Sequence, residues 1–265
     1  VIKVGEVSLQ DIQASAKLLS GNYNLSLKST FLQMKEMDLD KMLIDINKVE
    51  IDQLKLHAIV FESIENLPTD LPKDTLAQNV EFPLKDLGME VLCESILITN
   101  SNIFYQNGNI VKGKYFDPND INLQNLNLAI NNLHVDENKA QLEVEKVSVN
   151  LNNEFDLQEL KFILTFDEKI AGIKGLELLT ARSKGKADVT IDYTSFAQLV
   201  NLEAIDNLNL TVDSLNLSLP EMTYFLPMID TMSSIAHLKN ETFYLDGLLE
   251  GNLEKISVDH LSANI

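Results

Sequence analysis

The chain has 265 residues, 45% of them hydrophobic and 23% charged, with 10 Gly, 6 Pro, one Cys and no Trp. This length supports one large or two modest domains, the apolar share excludes global disorder, and Gly at about half its usual share excludes collagen-like and Gly-rich β-helix arrays. Forty acidic against 21 basic side chains give a net charge of −19, so nucleic-acid binding and adsorption to anionic headgroups are disfavoured by repulsion.

No run approaches the ~18–20 apolar residues that a helical membrane span requires, and no signal peptide is visible. The sequence begins at Val1 and breaks off at Ile265 within an alternating run. The expectation is one continuous unit, residues 1–265, cut from a longer chain.

In chain order, residues 1–61 read as strands. Tyr23, Leu25 and Leu27 alternate with polar neighbours, as do Leu54, Leu56, Ala58 and Val60. Residues 62–83 carry Pro68, Pro72 and Pro83 and read as a loop with at most a short helix. Residues 84–193 return to strands through Leu126, Leu128 and Ile130, then Val147, Val149 and Leu151, then Phe162, Leu164 and Phe166, then Val189 and Ile191. Cys93 lies inside one apolar run and reads as a buried thiol. A short helix is predicted over 194–204, behind a Thr194/Ser195 cap, and a strand over 207–219. A helix is predicted over 220–238, kinked near its start by Pro227, followed by strands over 242–265. Period two places alternate side chains on opposite faces, so the chain reads as mostly antiparallel β with one wet face.

A second regularity is an apolar residue, two polar residues and another apolar residue. It occurs at Ile46–Val49, Ile51–Leu54, Ile130–Leu133, Val144–Val147 and Val212–Leu215. Either a two-residue hairpin or a bulge in one long strand keeps both apolar residues on the same face. Asn131-Asn132 suits a hairpin turn, whereas hairpins between Ile46 and Leu54 would leave strands of three residues and favour bulges there.

Signatures of catalysis are missing. His57, His134, His237 and His260 form no HExxH or HxxxH pair, so spacing gives no metal site; no GxSxG elbow or complete P-loop occurs. Asp117, Asn119 and Asp120 lack the Gly and distal Glu of an EF-hand and read as a turn at Pro118. Sequons at Asn24, Asn209, Asn216 and Asn240 are expected by chance in an Asn-rich chain. Leu123–Leu133 fits a leucine-rich-repeat unit, but neither neighbouring stretch restates it. No enzyme activity and no cofactor are expected.

Two segments carry a resemblance. One runs from Asn102-Ile-Phe-Tyr105 through Tyr115-Phe-Asp-Pro-Asn-Asp-Ile-Asn-Leu-Gln-Asn-Leu-Asn-Leu128. The other is Leu215-Asn-Leu-Ser-Leu-Pro-Glu-Met-Thr-Tyr-Phe-Leu-Pro227 with the return strand Leu245–Leu253. They resemble the strand starts and the strand, Tyr-Phe helix and glycine-marked return of the AsmA-like/TamB superfamily of bacterial envelope proteins. The alternating Leu/Asn/Asp style extends that likeness over nearly the whole chain.

The resemblance implies a long curved antiparallel sheet forming an open U-shaped apolar groove, with a few short capping helices. It also implies a periplasmic location, tethered to the inner membrane through a segment outside this sequence. The expected partners are phospholipid acyl chains, an outer-membrane β-barrel of the assembly machinery, and the rest of the chain at both ends. Candidate groove-lining residues, in phase within each run, are Leu142, Val144, Val147, Val149, Leu151, Phe162, Leu164, Phe166, Val189, Ile191, Leu208, Leu210 and Val212. The alternative is a closed sandwich or barrel in which these residues are core, with sheet edges that pair with strands of client proteins during outer-membrane protein insertion.

Overall fold

The computed structural model describes residues 5–61, 84, 87–108, 110, 113–195, 205–231, 238, 241–252 and 255–264. The predicted loop over 62–83 and positions 196–204 of the predicted helix lie outside the described residues.

Thirteen strands form a single sheet. They are β1 (Glu6–Leu18), β2 (Gly21–Asp38), β3 (Leu43–Asp52), β4 (Lys55–Val60), β5 (Glu90–Asn107), β6 (Asp120–Val135) and β7 (Lys139–Leu151). After these come β8 (Phe155–Asp167), β9 (Ile170–Thr180), β10 (Lys184–Asp192), β11 (Asn207–Ser218), β12 (Thr242–Asn252) and β13 (Lys255–Asn264). Between β11 and β12 stand helix α1 (Leu219–Phe225) and a 3-10 turn (Pro227–Thr231). The predicted kink at Pro227 is thus a break between two short helical pieces, because Pro227 cannot donate a helical N–H.

The strand order follows the chain from β1 to β13, with β4 inserted between β2 and β5. Pairing is antiparallel, with one correction to the expectation: β3 and β4 both run parallel to β5. A parallel neighbour needs a crossover connection rather than a hairpin, and the 61–89 stretch between β4 and β5 supplies that length. Among the described residues the path ends at β1 and β13, which pair only with β2 and β12. The sheet therefore has two edges and is neither a closed barrel nor a sandwich of two sheets.

Four of the apolar–polar–polar–apolar motifs are irregularities within single strands, and the fifth, Ile51–Leu54, falls at the break between β3 and β4. Ile130–Leu133 lies inside β6, Val144–Val147 inside β7 and Val212–Leu215 inside β11, each at a shift of register. In β3 the shifts fall where β2 passes from Gln33 to Glu36, opposite Asp45–Lys48. β3 and β4 are two halves of one line, broken at Gln53 (φ 54°). The buried Ser101 hydroxyl fills that break, accepting from Leu54 N at 3.1 Å and donating to Thr99 O at 3.0 Å.

Asparagine supplies much of this bending. Asn100, Asn125 and Asn132, at register shifts inside β5 and β6, have φ between 50° and 55°, and Asn152 and Asn153, at 55° and 59°, make the turn from β7 to β8; Asn tolerates this region better than most non-glycine residues. A chain poor in Gly thus takes many of its left-handed positions from Asn. Such bulges bend strands and increase local twist, the deformation by which a sheet of this width curls. Asn131, the leucine-rich-repeat position, donates to Glu145 Oε2 at 3.0 Å across β6 and β7 instead of filling a repeat core. Asp117 accepts from Asn119 N at 2.9 Å and starts β6 with an ordinary turn.

Candidate functional site: the apolar face of the sheet

Residues directly opposite each other on paired strands point to the same face. Following the register across the sheet therefore shows whether the apolar sides of separate strands join. Leu9, Thr30, Ile51, Ile98, Leu128, Val147, Leu160, Leu178, Gly185, Leu215 and Leu245 stand in one line across eleven strands. A second line runs through Leu142, Leu164, Ile173, Val189, Leu210, Leu249 and Val258. A third runs through Met37, Ile44, Val91, Val135, Ala140, Phe166, Ala171, Ile191 and Leu208.

The candidates fall on this face. Leu142, Leu164, Val189 and Leu210 share the second line; Phe166, Ile191 and Leu208 share the third; Val147 is in the first. Val144 and Phe162 are paired and continue Ile130. Leu151 stands between Leu123 and Phe155, Val149 opposite Leu157, and Val212 between Ala187 and Gly247. The candidate set omitted the same face in β1–β6, although Leu126, Leu128 and Ile130 carry the same period. That period was the available signal for the missing residues.

The face is only partly covered. Of the thirteen candidates, Val144, Leu151 and Val212 are buried and the other ten are half-buried. Only nine hydrophobic side chains are buried among the described residues, few for a sheet of thirteen strands. In a closed sandwich these lines would interdigitate with a second layer.

One end of the face is capped by α1. Phe225 packs edge-on against Phe155, with ring centroids 4.8 Å apart, and tilted against Phe116 at 5.5 Å. Tyr224 is buried, accepts from Asn152 Nδ2 at 3.2 Å, and its carbonyl accepts from Phe116 N at 2.8 Å. Burial pushes the Tyr224 phenol up, opposed by the Asn152 hydrogen bond. Along the sheet, β11 and β7 lie about 19 Å apart. A seven-residue helix about 10 Å long, extended by one tyrosine, makes the crossing over the strand ends. Glu221 fastens it: its carboxylate accepts from Thr180 Oγ1 at 2.7 Å, from Arg182 N at 3.1 Å and from Ser183 Oγ. Phe225, Leu226 and Met228 remain exposed at the rim. At the opposite ends of β8–β10, Tyr193 is buried and donates to Asp167 O. Its phenol is pushed up to about 12, by burial first and by the Asp167 and Glu168 charges second.

The other face is polar. Lys161, Glu177 and Lys186 are aligned across β8, β9 and β10, with Lys186 Nζ 2.7 Å from Glu177 Oε1. That hydrogen bond holds the Glu177 carboxyl below its ordinary value. Exposed pairs of this kind contribute only about 0–1 kcal/mol each, so the charge on this side serves solubility more than folding. Cys93 is buried beside Ser95 O at 3.5 Å, and burial pushes its thiol up. A buried thiol of raised pKa is a poor nucleophile.

No family model and no curated protein matches this chain. Among the described residues, no helix is long and apolar enough to cross a membrane.

Proposed function

We propose that the chain is a segment of an AsmA-like/TamB-type groove that conducts phospholipids between the inner and outer membranes of a bacterial envelope. The observation that carries this reading is the eleven-strand line, apolar at every strand but those of Thr30 and Gly185, on a face whose side chains stay half-open. Isolated exposed apolar residues need no explanation, but a contiguous apolar surface of this width calls for an occupant. Acyl chains fit because each buried CH₂ contributes about 0.8 kcal/mol without requiring a directional partner. Headgroups remain in water along the groove's open side, and movement is diffusion along a continuous track with no covalent step. The periplasmic location, the inner-membrane tether outside this sequence and the outer-membrane partner belong to the same reading.

Native mass spectrometry of the purified chain tests it. Co-purifying phospholipid is expected with the wild type and is lost when Val149→Asp or Leu164→Asp places a charge in the track. Unchanged lipid occupancy in variants with intact folding overturns the reading.

One observation favours a second reading, the edge-pairing assembly module. Among the described residues β1 is paired on one side only, and it is almost wholly exposed, with Val7 and Leu9 40% and 48% accessible. Such an edge can take another strand. Proline at Gln10 would abolish client pairing under that reading and leave lipid occupancy intact under the first.

A further inference from the structure

On the polar face at the start of β5, Glu90 meets two ligating groups that lie 44 and 46 positions further along the chain, His134 and Asp136. Glu90 is the first residue of β5 and His134 the penultimate residue of β6. Asp136 opens the turn into β7. Because Val91 pairs with Val135 and Leu92 with His134, Glu90 and Asp136 come together beside the imidazole. One ligand atom from each residue lies within 4.8 Å of the others.

The geometry around His134 is unusual for an ion pair. Nε2 lies 2.9 Å from Glu90 Oε1 and 3.3 Å from Asp136 Oδ2. Yet this atom is shut off from solvent and makes no hydrogen bond with acceptable alignment. Both oxygens are close, yet neither makes a hydrogen bond with that nitrogen, as an oxygen on the ring axis at these distances would. A hydrogen bond would put an oxygen on that axis. A shared metal ion would not: the ion takes the axis, and the oxygens coordinate it from the sides. With metal–nitrogen and metal–oxygen distances of about 2.0–2.2 Å and angles between square and tetrahedral, nitrogen and oxygen lie about 2.8–3.6 Å apart. Both measured separations fall in that range.

We propose that Glu90, His134 and Asp136 bind a first-row divalent cation such as Zn²⁺. One imidazole nitrogen with two carboxylate oxygens suits Zn²⁺ better than Ca²⁺, which takes six to eight oxygens, or Mg²⁺, which retains its waters. The ligands are held before the ion arrives. Asp136 Oδ1 accepts from Asn138 N at 2.7 Å and Lys139 N at 3.0 Å, leaving Oδ2 to face His134. Glu90 is anchored through its own N–H to Met42 O at 2.7 Å. A bound cation would clamp the start of β5 to the β6–β7 turn and relieve the repulsion between the two carboxylates. The cluster is on the face opposite the apolar lines, so its test is independent of the lipid reading.

The test is titration of the whole chain with ZnCl₂ in a chelator-buffered solution, followed by calorimetry and thermal melting. One saturable ion per chain and a raised Tm are expected. His134→Ala should weaken binding at least about tenfold and remove the Tm rise, and Glu90→Gln should weaken it with the fold preserved. The His57 ring lies tilted against Phe104 at 4.5 Å, and His57→Ala should bind as the wild type does. X-ray absorption should show one imidazole nitrogen among oxygen ligands. No saturable one-to-one binding, or wild-type affinity in both site variants, overturns the proposal.

Discussion

The side chain of Leu215 on β11 occupies the space that a Cβ on Gly185 of β10 would fill. The two residues are directly opposed in the eleven-strand line, so the glycine lets the leucine lie flat across its neighbour. Gly21 has a different neighbour: a Cβ there would meet the backbone carbonyl of Ile59 on β4. A leucine methyl can rotate away, whereas a carbonyl held in a ladder cannot. Gly21→Ala is therefore expected to cost about 1–3 kcal/mol and Gly185→Ala less, as read by urea denaturation. Equal costs would contradict the contrast.

Burial along the apolar face separates stability from uptake. Val144 is 5% exposed, and Val144→Ala should cost up to about 1.5–3 kcal/mol. Leu164 is only half-buried, so Leu164→Ala should cost less stability yet reduce co-purified lipid more. Parallel chemical denaturation and lipid mass spectrometry check both halves of this expectation.

Glu221 fixes the cap over the strand ends. Glu221→Ala leaves the buried Ser183 hydroxyl without its acceptor, whereas Thr180 Oγ1 keeps Ser183 O at 3.2 Å, at a cost of about 1–3 kcal/mol. Hydrogen exchange should quicken in α1 and at Arg182 while the centres of β7 and β8 keep their protection. Uniform loss of protection would mean that the cap and sheet open together.

Acid should loosen the β2–β3 turn. Burial raises the Asp38 carboxyl, but the ion pair and backbone hydrogen bond from Lys41 and the Asp40 N–H outweigh it, leaving the pKa below the ordinary value. A group depressed in the folded state contributes stability above its unfolded pKa, about 3.9, and loses it as pH falls through the folded pKa. Asp38→Asn should lower Tm at neutral pH and converge with the wild type in strong acid. A constant difference at all pH values would refute this assignment.

What the sequence determined by itself is which side chains share a face, because the two-residue period of a strand is a local property. Leu142, Leu164, Val189 and Leu210 each show it in their own run. The five apolar–polar–polar–apolar motifs were ambiguous, since a hairpin and a bulge preserve the same phase. Only pairing with the neighbouring strand distinguishes them, and Asn131-Asn132 proved to continue β6. Pairing also decided the parallel run of β3 and β4 along β5. The joining of the separate apolar faces depends on inter-strand register, which no single run encodes. The meeting of Glu90 with His134 and Asp136 depends on it equally: the carboxylate lies 44 positions before the imidazole, and only the β5–β6 register closes that distance.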